Sequence, residues 1–154
     1  MGYMYAAGQN SIICYEDGVL CQRLEEVPVE IVQIQFEDDR ILIWGVYSPL
    51  GYLEEMLLFA QSGSVKRIPQ IEQRDNKISF HISLPFTGKK KQTIMVHLEY
   101  LHTRVRLDCR LQKNVKCSYF TKKVGVEKGN LVIHKRDTPK KTLRAIKRKL
   151  MSAR

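Results

Sequence analysis

The chain has 154 residues, the size of one domain that buries about two thirds of its unfolded surface, so it needs no disulfide or metal staple. Its content of 44% hydrophobic and 27% charged residues is that of a globular protein, and no apolar run approaches the roughly 20 residues that cross a bilayer. The net charge of +10 is uneven: residues 1–137 carry 19 basic and 16 acidic side chains, whereas 138–154 hold seven basic ones and no acid, so a basic face is expected of the tail and not of the body.

Residues 1–10 lack the basic region and apolar core of a signal peptide, and Ala6 spoils a myristoylation signal, which predicts a cytoplasmic chain. Ser11 to Tyr15 and Val19 to Leu24 flank Asp17-Gly18, a type I′ hairpin signal. After Pro28, Val32, Ile34 and Phe36 alternate at period two. The acidic turn Glu37-Asp38-Asp39-Arg40 then leads into Ile41 to Val46, apolar at every position and holding the only tryptophan, Trp44. That second arm reads as a central strand covered on both faces, with Trp44 in the core. Ser48-Pro49-Leu50-Gly51 is a turn, Glu54 to Gln61 a short strand, and Val65 to Ile68 an edge ending at Pro69.

Ile78, Phe80, Ile82 and Leu84 alternate with Ser79, His81 and Ser83, and Pro85 closes that strand. Ile94 to Tyr100 and Val105 to Leu111 repeat the pattern, which predicts an antiparallel meander of three strands. Val115 to Phe120 and Asn130 to His134 supply two more. Thr138-Pro139 changes the period: Thr138 as N-cap, Pro139 at N1, and Leu143, Ile146 and Leu150 on one face predict a short, cationic, amphipathic helix. The expected fold is all-β, an antiparallel immunoglobulin-like β-sandwich over 1–137, with 138–154 as a basic helix or linker.

Chemistry-bearing groupings are sparse. Cys14 and Cys21 should face each other across the first hairpin, and a loop centred on Lys113 could pair Cys109 with Cys117. Free thiols are favoured over disulfides in a reducing compartment, and the C-x6-C and C-x7-C spacings are too wide for a zinc knuckle. A single site built from all four thiolates is the residual zinc reading. His81, His97, His102 and His134 read as surface histidines, and Asp38-Asp39 as turn chemistry in place of a metal pair. No Ser-His-Asp grouping, Walker loop or dinucleotide fingerprint is present, so no catalytic residue, cofactor or metal is expected.

Tyr47, Tyr52, Tyr100, Tyr119 and Phe120 could stack on sugar rings, Tyr47 and Tyr52 being the named candidates. The competing reading places such aromatics in the core. In the tail, Lys140, Lys141, Arg144, Lys147, Arg148 and Lys149 could meet an anionic membrane or another partner, or simply form a solvated linker. A nucleic-acid role has less behind it, because the helix carries no aromatic for stacking bases.

The pattern I-x-F-E-D-D-R-I-L-I-W-G at Ile34 to Gly45, followed by Ile78-Ser-Phe-His-Ile-Ser-Leu-Pro, resembles the sandwich domains attached to bacterial cell-surface polymer enzymes. These are the glycosyltransferases and CDP-glycerol glycerophosphotransferases of teichoic acid and capsule synthesis. The resemblance covers about Val29 to Leu111 and consists of packing positions. It implies a non-catalytic accessory domain, serving interaction, oligomerisation or polymer handling, in the N-terminal part of a transferase peripheral at the inner face of the plasma membrane. The implied partners are a following catalytic domain, an anionic membrane surface or anionic polymer, and further copies of the chain. The alternative is a stand-alone nucleic-acid-binding β-barrel using the basic tail.

Overall fold

A computed structural model describes residues 2–117 and 122–135. The expected C-terminal helix, the 137/138 boundary and the six named basic residues of the tail all lie outside the described residues. The chain is all-β: the described residues form fourteen strands and one 3-10 turn, Leu24–Glu26, in three sheets. Among them no helix is long and apolar enough to cross a membrane.

β1 (Tyr3–Gly8), β2 (Ser11–Glu16) and β3 (Val19–Arg23) form a small antiparallel sheet in that order. Asp17 and Gly18 take φ of 51° and 79°, the left-handed conformation that the turn between β2 and β3 requires. Tyr15 opposes Leu20 as the spacing predicts, but a bulge then sets Cys14 opposite Gln22. Cys21 still meets Cys14, with sulfurs 3.5 Å apart, through the bulge and not by direct pairing. Glu25 ties the 3-10 turn back to this sheet: the Ser11 hydroxyl donates to its carboxylate, as does the Ile12 N–H at 3.1 Å.

A five-stranded sheet has the order β12 (Cys109–Cys117), β4 (Val29–Glu37), β5 (Arg40–Tyr47), β9 (Lys77–Pro85) and β8 (Gln70–Arg74). A six-stranded sheet runs β13 (Lys122–Glu127), β14 (Asn130–Lys135), β10 (Lys91–Tyr100), β6 (Leu57–Ser62) and β7 (Val65–Arg67), with β11 (Thr103–Leu107) also paired to β10. All three sheets contribute to one buried cluster that includes Ile12 and Cys14, Ile31, Ile43 and Phe80, and Leu58, Val96, Leu107 and Ile133. Each large apolar side chain buried there contributes roughly 1.5–3 kcal/mol.

Five expectations are corrected. The strands of Ile78, Ile94 and Val105 are not one meander: β9 pairs with β5 and β8, and the chain then crosses to the other sheet before β10 and β11 pair. Buried Gln92 holds that crossing, its amide donating to the Ser62 hydroxyl at 2.9 Å and the Pro85 carbonyl at 3.0 Å. Val105 to Leu111 is likewise two strands, broken at Asp108, where the chain passes from β10's sheet to β4's. There β12 runs parallel to β4, so that sheet is mixed, and Cys109 and Cys117 stand at opposite ends of one strand instead of facing across a loop. Finally, a bulge between Ile31 and Gln33 shifts the phase of β4, so the buried residues are Val29, Ile31, Ile34 and Phe36, with Val32 outside that series.

Candidate saccharide-contact face

Arg40 opens β5 on the solvent side, and strict alternation then sends Ile41, Ile43, Gly45 and Tyr47 inward and Leu42, Trp44 and Val46 outward. Trp44 is therefore half-exposed on the outer face of the five-stranded sheet, which corrects its reading as a core residue of a doubly covered strand. On β9 the same alternation buries Ile78, Phe80, Ile82 and Leu84 and presents Ser79, His81 and Ser83 on that face.

Register assembles these residues into rows. Gln33, Trp44, His81 and Gln70 lie side by side across β4, β5, β9 and β8. One row away stand Gln35, Leu42 and Ser83, and on the other side Glu30, Val46, Ser79 and Glu72. The Trp44 and His81 rings stack with centroids 4.8 Å apart and planes 21° from parallel, the offset geometry that aromatic quadrupoles favour. His81 is thus the partner of the indole and not an isolated surface histidine.

An open groove of about 300 Å³ runs beside the pair, lined by Trp44, Gln70, Glu72, Ser79 and His81 together with Ile71 and Phe80. A second hollow of about 240 Å³, lined by Glu72, Arg74, Lys77 and Ser79, shares two of these residues and continues along β8 and β9. The Glu72 carboxylate pairs with Arg74 at 2.9 Å. This surface offers an aromatic step, amides, hydroxyls and the Glu30 and Glu72 carboxylates, with Arg74 and Lys77 at its end. Groups of these kinds meet a polyhydroxylated ligand through ring contact and neutral hydrogen bonds. Among the described residues no three His, Cys, Asp or Glu side chains gather closely enough to hold a metal ion.

The two tyrosines named from the sequence are elsewhere. Tyr47 is fully buried, and its hydroxyl donates to the Leu24 carbonyl at 2.6 Å; burial, with the Glu25 charge behind it, raises its pKa. It faces the core because it shares phase with Ile41 and Ile43, so it cannot touch a sugar. Tyr52 packs partly buried against the core and donates to the Met56 carbonyl at 2.8 Å, with its pKa raised by burial. Tyr100 meets Tyr5 edge to face, while Tyr119 and Phe120 lie outside the described residues. Asp38 and Asp39 occupy the exposed turn between β4 and β5, where the Asp39 carbonyl accepts the Phe86 N–H at 2.8 Å.

The outer face of the six-stranded sheet is different. Phe59 opposes His97 on β10, stacked at 5.1 Å, and is fully buried although it points away from the core. Lys66 and Arg104 lie over its ring at 4.1 and 5.0 Å, cation–π contacts that close off the aromatic face. His97 Nδ1 is buried without a hydrogen-bond partner among the described residues. Burial first, then the Arg104 and Arg106 charges, lower the pKa of this histidine. Of these two outer sheet faces, the one whose aromatic pair carries no such cation over it is therefore that of Trp44 and His81. No family model, curated protein or solved structure matches the chain.

Proposed function

We propose that the chain is a non-catalytic, polymer-handling module with an immunoglobulin-like sandwich architecture. In this reading it forms the N-terminal part of a bacterial cell-wall or capsular polysaccharide transferase, and the outer face of the five-stranded sheet touches the saccharide. The observation that carries it is the half-exposed Trp44–His81 stack in a row of glutamines, beside a trough that continues along two strands. An open sheet face with an aromatic centre suits an extended chain of sugars, and in this reading it supplies binding without machinery for bond cleavage. The transferase context rests on the resemblance of Ile34 to Gly45 and of the Ile78 strand, and the basic tail suits a position at the inner face of the membrane.

Trp44 is the only tryptophan, so its fluorescence reports on this face alone. Titration with teichoic-acid or capsular oligosaccharides should shift that emission saturably, and Trp44→Phe and His81→Ala should each weaken binding, followed by calorimetry, at least about tenfold, or ~1.4 kcal/mol. RNA and DNA belong in the same titration. Affinity for nucleic acid that falls steeply with salt, with no response to oligosaccharide, would overturn this reading in favour of the nucleic-acid alternative.

A further inference from the structure

A strand at the edge of a sheet leaves a row of N–H and C=O groups unpaired, and proteins blunt such edges with charge, proline or short length. Most edges here are blunted. β7 is three residues long and carries Lys66 and Arg67; β8 carries Glu72 and Arg74; β12 carries Arg110 and Lys113; β13 carries Lys122, Lys123 and Glu127; β3 ends in Arg23. β1 is the exception: its six residues, Tyr-Met-Tyr-Ala-Ala-Gly, include no charge and no proline, and among the described residues its outer edge pairs with no strand.

Apolar exposure is concentrated on the same small sheet, at both of its edges. Tyr3 (40%), Met4 (70%), Val19 (68%) and Leu20 (44%) are four of the nine exposed large apolar residues described, and all four lie on this three-stranded sheet. Met4, Tyr15 and Leu20 form one row across β1, β2 and β3. β1 is also held in place from behind. The Thr103 hydroxyl donates to the Gly8 carbonyl at 2.7 Å, and the Tyr5 ring packs against Tyr100.

We propose that β1 pairs antiparallel with β1 of a second copy about a two-fold axis, joining two small sheets into one of six strands. Symmetry selects this partner. A two-fold antiparallel pair sets a strand against itself, and Tyr3–Gly8 is neutral throughout, so the pairing brings no like charges together. A register centred on Tyr5 places Met4 opposite Ala6 and Tyr3 opposite Ala7, large against small, and extends the Met4–Tyr15–Leu20 row into the partner sheet. The pairing is independent of the saccharide face.

Sedimentation velocity of the full chain from about 1 to about 500 µM should show a reversible monomer–dimer equilibrium. Met4→Lys combined with Ala6→Lys should raise its dissociation constant at least about tenfold, whereas Val19→Lys, which charges the other edge of the same sheet, should change it less than about twofold. Hydrogen exchange on the unmodified chain gives a second reading: the amides of Tyr3–Gly8 should slow as concentration rises, and those of Val19–Arg23 should not. A monomer throughout the range would overturn the proposal, as would dimerisation untouched by the two lysines. So would β1 amides protected equally at every concentration, since that means the chain's own residues cover the edge.

Discussion

Gly45 faces Phe80 across the ladder between β5 and β9, and a Cβ at position 45 would overlap the Phe80 ring. The missing side chain is what lets the ring lie across β5 within the core. Gly45→Ala should therefore cost about 1–3 kcal/mol by overpacking. It should lower the urea midpoint with an unchanged slope, while the emission of neighbouring Trp44 shifts. An unaltered midpoint would mean that the ring moves aside freely.

Tyr47 has a structural task that separates it from Trp44. Tyr47→Phe keeps the ring in its buried site and removes the bond to the Leu24 carbonyl, which still accepts the Val27 N–H at 3.2 Å. The expected loss is about 0.5–1.5 kcal/mol of stability, with saccharide affinity unchanged. Weakened binding in a stably folded Tyr47→Phe protein would contradict the assignment of this side chain to the core.

His97 makes stability depend on pH. Its pKa in the folded chain lies below the ordinary 6.5, held there by burial and by Arg104 and Arg106. As pH falls, the unfolded chain takes up this proton first. The contribution is thus fully present above about pH 6.5 and is lost as pH drops through the lower folded value. Urea midpoints measured between about pH 8 and pH 5 should fall less steeply for His97→Gln than for the parent chain. Parallel curves would show that protonation of His97 is not opposed in the folded state.

Two thiols should be inert. Burial raises the Cys14 pKa to about 11, with the Cys21 thiol adding to the shift, and burial raises the Cys109 pKa to about 12. At about pH 8, alkylation of both should be on the order of a hundredfold slower in the folded chain than after denaturation, as followed by mass spectrometry. Rapid labelling of Cys14 would reveal local opening of the hairpin between β2 and β3.

Much of the framework was legible because turns and alternation write themselves into sequence. Asp17-Gly18 located the hairpin of β2 with β3, and Ile78 to Leu84 announced both the buried and the open face of β9. β1, β8 and β13 escaped notice: every residue of β8 is exposed, and the burial of β1 and β13 is too slight to leave a period. Trp44 was misplaced because Leu42, Trp44 and Val46 are apolar yet face outward. The signal that could have corrected this was Arg40, whose phase they share. The sheet change at Asp108 left no trace, since Val105 and Leu107 on one side and Cys109 and Leu111 on the other keep a single alternation. Both sheets face the same core, so a strand can leave one for the other without inverting its pattern.

That change of sheet also bears on the order in which the molecule is built. β12 lies beside β4 only after segments as distant as Val29 and Cys109 have met, and parallel pairing admits no tight turn to shorten the search. The hairpins of β2 with β3, β4 with β5, and β10 with β11 need only local closure and should form early. The β12 ladder, together with the Asp108 carbonyl that receives the Val29 N–H at 2.7 Å, should be the late clasp that joins the hairpins.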